Sequence, residues 1–240
     1  MLEGINVTQY FGSLAAVKEL SFIIEEGEIV ALIGPNGAGK TTLFNLIHGV
    51  YCPTSGRITF MGQNITGLNP YKICRLGIAR THQIVRPFLV MTALENVIVA
   101  MLYGAGKSLS NARSEALEFL KFIGLEEKKE ILAQNLNLYE RKALEIARAL
   151  ATNPQILLLD EVLAGLNPAE IMEAKEVIKR IRDKLGITIF WVEHVMKAIK
   201  GTAERVIVMH YGEKIAEGPF EEIVNDKKVI DAYLGEKYMF

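Results

Sequence analysis

Gly34-Pro35-Asn36-Gly37-Ala38-Gly39-Lys40-Thr41 is the stretch that decides the fold. It matches the spacing G-x-x-x-x-G-K-[ST], and it lies between an apolar run that ends at Ile33 and a segment of helical character from Lys40 to about Gly49. Glycines open backbone conformations closed to other residues, so successive N–H groups can turn inward around phosphate oxygens at the positive end of the helix. Lys40 is placed to reach the β- and γ-phosphates and Thr41 to offer a hydroxyl to Mg2+; Thr42, next in the same turn, is counted with the loop. A turn that merely capped a helix would need neither the lysine nor the hydroxyl at these offsets.

Upstream, Ala15 to Ile33 reads as two short strands broken by the turn Glu25-Glu26-Gly27-Glu28. Downstream, Gly56 to Gly62 is a strand with a turn at each end, and Ile78 to Thr81 is another short strand. Between about Pro87 and Ala133 helical patterning takes over, with Leu117, Leu120 and Ile123 at helical spacing. The spacing then predicts a helix over 144–151, a buried strand over Ile156 to Asp160, an amphipathic helix over Ala169 to Leu185 and a buried strand over Ile187 to Val192. Two short strands, Glu204 to Val208 and Lys214 to Ala216, and terminal helices from Phe220 to Tyr233 complete the chain. Alternation of strand and helix implies an α/β protein with a mostly parallel sheet. The expected organisation is one domain: a nucleotide-binding core from 1–86 and 155–218, a helical subdomain over about 87–154, and a helical tail over 219–240.

The 240 residues, half of them hydrophobic, suffice for a substantial core. With 27 Lys and Arg against 28 Asp and Glu, and no block of like charge, composition points to neither a nucleic-acid footprint nor a polybasic anchor. Cys52 and Cys74 lack metal-ligand spacing and read as buried, reduced thiols in a reducing compartment. The longest apolar run, Val97 to Gly106, is too short to span a bilayer, and the start is not signal-like, so a membrane link would be made through another protein.

Ile156-Leu157-Leu158-Leu159-Asp160-Glu161 delivers two carboxylates at the C-terminal end of a strand, where open α/β sheets place their ligands. Asp160 is the natural Mg2+ partner. Glu161 is the candidate general base that orients and polarises water, because phosphoryl transfer asks mainly for positioning and charge stabilisation. These residues specify an NTPase acting on MgATP or MgGTP.

The remaining motifs, in their order, resemble the ABC ATPase family from about Leu2 to Phe240. That resemblance implies ATP as the nucleotide, an antiparallel β lobe beside the parallel core, and roles for further residues. Phe11, before Gly12, is similar to the family's adenine-stacking aromatic. Gln83 resembles the glutamine that touches Mg2+ and the water, and His194, beside Glu193, the switch histidine that contacts the γ-phosphate. Asn167, in Ala164-Gly165-Leu166-Asn167, resembles the loop that crosses the dimer interface. Within the family, Arg80 to Phe88, Met91 to Val97, Leu144 to Leu150 and Tyr233-Leu234-Gly235 are similar to the ATPase subunits of branched-chain amino-acid importers. The resemblance implies integral-membrane permease subunits, a second ABC ATPase, which is a paralogue or a second copy, and indirectly an external solute-binding protein. The implied place is peripheral, on the cytoplasmic face of the cell membrane. An exporter of lipid or lipopolysaccharide could carry the same motifs, and a non-transport regulator that clamps nucleic acid or a ribosome would more usually carry tandem cassettes.

The family's signature, Leu-Ser-Gly-Gly-Gln or a relative, aligns with Leu136-Asn137-Leu138-Tyr139-Glu140. In the family the serine and second glycine close over the γ-phosphate of the opposite subunit, so Asn137 and Tyr139 stand at nucleotide-facing positions with altered chemistry. Asn137 retains a hydrogen-bond donor, whereas Tyr139 crowds the place, and a positive φ there would add strain. Val162 stands in place of a proline after the acidic pair, and His82 where these importers commonly show an aromatic.

Overall fold

In the computed structural model, which describes residues 1–237, the chain runs β1 (Leu2–Phe11), β2 (Leu14–Ile24), β3 (Ile29–Ile33), α1 (Lys40–Ile47), β4 (Ser55–Phe60), β5 (Gln63–Asn64), α2 (Pro70–Arg75), β6 (Ile78–Arg80), α3 (Ala93–Tyr103) and α4 (Leu109–Phe122). It continues through α5 (Leu138–Leu150), β7 (Ile156–Asp160), α6 (Pro168–Leu185), β8 (Thr188–Val192), α7 (Met196–Ile199), β9 (Arg205–His210), β10 (Glu213–Gly218), α8 (Phe220–Ile223) and α9 (Lys227–Lys237). Tyr238–Phe240, the end of the expected tail, lie outside the described residues. Two compact units emerge, residues 1–70 with 188–240 and residues 71–187. The helical segment expected over 87–154 lies wholly within the second.

In the first unit β1 pairs antiparallel with β2 and β4, giving the order β2-β1-β4-β5. Register shifts interrupt the β1–β2 ladder, and Asn6 and Glu19 take left-handed φ values of 49° and 46° beside them. Each bulge turns the strand and breaks its two-residue alternation. That is why no strand was expected before Ala15 although β1 is ten residues long. Strand β3 is buried along its whole length, parallel to β8 on one side and β9 on the other, while β9 pairs antiparallel with β10. Strands buried on both faces are continuously apolar, as Ile29–Ile33 and Thr188–Val192 nearly are. Phe190 stacks near Phe22 and Phe44, at 5.9 and 5.1 Å between ring centroids, and fills the space between sheet and helix. Ala31, Ile33, Val206, Val208, Phe220, Ile223 and Val229 form a second buried cluster under α8 and α9.

In the second unit β6 and β7 pair in parallel, with Ala79 opposite Leu157. Helix α3 packs on α4 and α5, and Val97, Met101, Ala116, Leu120, Leu144 and Ala147 on these helices are buried. Helix α5 starts at Leu138, before the expected 144, because Asn137 and Glu140 form a reciprocal capping box at its N-terminus. Cys52 and Cys74 are unpaired, yet Cys52 is exposed and Cys74 half-buried, which corrects the expectation of two buried thiols. Cys52 sits on the surface turn after α1, where its sulfur lies against Gly67. Among the described residues no helix is long and apolar enough to cross a membrane.

Candidate functional site

The first unit carries the phosphate loop. Gly34, Gly37 and Gly39 take φ values of 150°, 76° and 102°, and Gly39 stands at the N-cap of α1 with no side-chain cap. A Cβ at Gly39 would lie 2.2 Å from the Ala16 carbonyl oxygen and one at Gly34 2.0 Å from that of Met209, so backbone crowding as well as φ demands glycine here. The Lys40 ammonium is buried and donates to the carbonyls of Gly34 and Pro35 at 2.6 and 2.8 Å. The loop thus folds its own cation underneath its N–H groups. Asn36, Gly37 and Thr41 are exposed, Ala38 is buried, and Thr42 is half-buried. No acidic residue sits in the first turn of α1, leaving its positive end uncompensated for an anion.

Phe11 ends β1 with its ring 44% exposed, enough to offer a face, and Tyr51 meets it edge-on at 5.3 Å and 75°. His194 is exposed after β8. The turn that presents it is shaped by Glu193, a buried carboxylate that accepts from the N–H groups of His194 and Val195 at 3.1 and 3.3 Å.

The second unit carries the acidic strand end. Asp160 closes β7 with its side chain 1% exposed; Oδ2 receives the Arg80 guanidinium at 2.7 Å. Its other oxygen, Oδ1, is buried without a hydrogen-bond partner. A carboxylate oxygen left over in this way fits a hard cation or a water bound to one. Among the described residues no group of three or more His, Cys, Asp or Glu side chains could hold a metal, so phosphate oxygens and water would have to supply most of the shell. Glu161 has a left-handed φ of 48°, a strained conformation for a residue with a side chain, and its Oε2 accepts from the Gln83 carboxamide nitrogen at 2.8 Å. Gln83, which sequence alone could place only by resemblance, is therefore brought to Glu161. Asp160 is held from the other side by its backbone N–H, which donates to the buried Thr81 hydroxyl at 3.2 Å.

Asn137 spends its side-chain oxygen as the N-cap of α5, accepting from the Glu140 N–H at 2.8 Å. Tyr139 lies in the first turn of that helix, outside the positive-φ residues, so its replacement of glycine strains no backbone. Its hydroxyl hydrogen-bonds Glu173 on α6, and burial, then that carboxylate, push its pKa up to about 12. Leu138 covers Gly165. Asn167 caps α6, accepting from the N–H groups of Ala169 and Glu170, both at 3.0 Å.

Arg80, Lys142, Glu145 and Glu193 were missed as contributors. Lys142 donates to the Glu161 carbonyl at 3.3 Å, and Glu145 accepts from the His82 N–H at 2.7 Å. The available signal was polar residues at 142, 145 and 148, a stripe at helical spacing that interrupts the apolar run from Ala143 to Leu150.

A phosphate loop that buries its lysine under glycines, with a strand-end carboxylate pair in the same chain, defines a P-loop nucleotide-binding protein. The sequence profile described as "ABC transporter" matches residues 17–164, and that of the "Branched-chain amino acid ATP-binding cassette transporter" matches residues 213–238. The high-affinity branched-chain amino acid transport ATP-binding protein LivG of Salmonella typhimurium is 45% identical over 94% of each chain. The ADP conformation of an ATP-binding cassette of an ABC transporter superposes with a TM-score of 0.89 at 31% identity, covering 98% of each chain. A dimeric bacterial ABC transporter cassette does so with a TM-score of 0.82 at 29% identity, covering 92% of this chain and 99% of its own. The chain belongs to the ABC transporter family. It is an ATP-binding and ATP-hydrolysing subunit of such a transporter.

Proposed function

We propose that this chain powers the uptake of branched-chain amino acids, or a closely related small solute, through separate permease subunits on the cytoplasmic face of the membrane. The observation that carries this reading over an exporter is the likeness of residues 213–238 to the tail of branched-chain amino acid cassettes, a segment remote from the nucleotide motifs. In this reading Phe11 stacks on adenine, the loop and helix start at residues 34–42, through their N–H groups (Pro35 has none) and Lys40, hold the phosphates, and Thr41, Asp160 and Gln83 hold Mg2+. Mg2+, when bound, offsets the charge of the β- and γ-phosphates. Glu161 accepts the proton of the attacking water, Gln83 fixes that water's position beside it, and His194 contacts the γ-phosphate. The strained φ of Glu161 and its bond to Gln83 support a preset base.

The working unit is a pair of ATPases, and Asn137 and Tyr139 favour a paralogue over a second copy as the partner. Asn137 is committed to its cap and Tyr139 to Glu173, so this chain's signature offers a poorer cover for the partner's ATP than serine and glycine would. ATP held on this chain would be turned over under the partner's own signature.

The test is uptake of labelled leucine, isoleucine and valine by cells lacking this gene. Wild-type chain restores uptake, whereas Glu161→Gln binds ATP, turns it over at a small fraction of the normal rate and restores nothing. Undiminished uptake in the null cells refutes the solute assignment, and near-normal turnover by Glu161→Gln removes it from the base role.

A further inference from the structure

Helix α5 carries three polar side chains on one stripe through the interior of the second unit. Lys142 and Glu145 are 7% and 6% exposed, and Arg148 follows at the same spacing. Each grips a different part of the hydrolytic apparatus or its loop. Lys142 Nζ reaches the Glu161 carbonyl at 3.3 Å, Glu145 Oε1 takes the His82 N–H at 2.7 Å, and Arg148 donates to the Arg86 carbonyl at 3.0 Å with its guanidinium 4.9 Å from the Phe88 ring.

The first two contacts close a circuit. From Glu145 it passes to the His82 N–H, along one residue to Gln83, across 2.8 Å to the Glu161 carboxylate, and from the Glu161 carbonyl back to Lys142, one helical turn before Glu145. Glu145 is the member of this circuit that fixes the Gln83 side. His82 itself is exposed, so without Glu145 its backbone would be tied down only by its neighbours. We propose that Glu145 is a positioning residue for ATP hydrolysis: through the His82 backbone it holds the loop that presents the Gln83 carboxamide to Glu161. This role presupposes the parts given to Gln83 and Glu161 above.

A purely structural residue would be better served by an apolar side chain. Position 145 is flanked by buried Leu144, Ile146 and Ala147, and Glu145 Oε2 is buried without a hydrogen-bond partner. The groups facing the carboxyl are Arg80 and His82 from beyond its helix and Lys142 and Arg148 from its own. Burial outweighs them and pushes its pKa up to about 7. An ionised acceptor makes the stronger bond to an N–H, so the hold on His82 tightens as the carboxyl loses its proton.

The test is a double-variant cycle on the complex isolated through a tag on this chain, comparing Glu145→Leu, Glu145→Gln, Gln83→Ala and the doubles. Glu145→Leu orphans the His82 N–H and lowers kcat about tenfold, with KM for ATP within about twofold of wild type. Glu145→Gln keeps the acceptor and recovers most of that loss, and the ratio of wild type to Glu145→Gln shrinks toward one as pH is lowered from about 8 to about 6. In the Gln83→Ala background neither substitution at 145 has any further effect. Losses that multiply in the doubles, or a loss carried by KM, overturn the proposal. Should Glu145→Leu fail to fold, the cycle with Glu145→Gln, read as its pH-dependent ratio to wild type, decides it alone. If Gln83→Ala by itself turns over normally, the role given to Gln83 is what fails, and Glu145 has nothing to position.

Discussion

Replacing Glu145 by glutamine should stabilise the protein, and by an amount that depends on pH. In the unfolded chain the carboxyl titrates near 4.5, whereas in the folded protein burial raises it to about 7. Between those values the native state holds a proton that the unfolded state has released. Native stability from this group is therefore fully present below about pH 4.5 and is lost as pH rises through about 7. A difference of about 2.5 pH units corresponds to roughly 3 kcal/mol, at 1.36 kcal/mol per unit. Glutamine has the same shape and no titration. The stability of Glu145→Gln minus that of wild type should thus widen by roughly 3 kcal/mol from pH 4.5 to 7.5 and then stay level. In a chain of this length that is a rise of about 6–12 °C in the relative Tm. Urea unfolding of both proteins by circular dichroism, at half-unit steps from about pH 5 to about 8, measures the gap while titrations elsewhere cancel. A gap constant within about 0.5 kcal/mol refutes the reasoning. A gap that narrows with rising pH would mean that Arg148, Lys142 and Arg80 together outweigh burial and favour the anion.

Two further outcomes follow from the second unit. Arg80→Met leaves the Asp160 carboxylate buried without its ion-pair partner and should destabilise that unit by about 3–5 kcal/mol, read by denaturant unfolding; a loss under about 1 kcal/mol would mean that Asp160 is readily hydrated or neutralised. Asn137→Ser with Tyr139→Gly should raise ATPase turnover of the assembled complex while lowering thermal stability, because glycine in the first turn of α5 costs about 1 kcal/mol and the Glu173 bond is lost. Unchanged turnover would mean that the altered signature closes over nucleotide as well as the usual one does.

What could be read from sequence was what the chain does locally. The phosphate loop was legible because Lys40 is satisfied by carbonyls five and six residues away, so the motif carries its own geometry. Strands β7 and β8 were legible because burial on both faces leaves an unbroken apolar run. Strand β1 was not, since its bulges at Gly4 to Tyr10 destroy the alternation that marks a strand. The start of α5 was hidden by reading residues 136–140 only as a signature, when Asn137 and Glu140 also spell a capping box. The pairs Arg80–Asp160 and Glu145–His82 join residues 80 and 63 positions apart, and no local pattern names such partners in advance.

The buried stripe on α5 shows where local rules and function part. An amphipathic helix needs one apolar face, and α5 has one in Leu144, Ile146, Ala147 and Leu150, so folding alone gives no reason for Lys142 and Glu145 to be nearly inaccessible. Ionising Glu145 costs about 3 kcal/mol of stability above pH 7, a sizeable part of what a domain has in hand. A sequence that keeps such a residue departs from its own folding optimum, and departures of that kind concentrate where geometry must be held for chemistry. The same helix begins at Asn137 and Tyr139, so any force that tilts its N-terminus also moves, within two turns, the contacts that hold Gln83 and Glu161. On the roles proposed above, the Glu145–His82 and Lys142–Glu161 contacts would couple the signature end of α5 to Gln83 and Glu161 inside the second unit. If those roles hold, a substitution at 145 should loosen that coupling, leaving ATP binding unchanged but the Gln83 carboxamide displaced from Glu161.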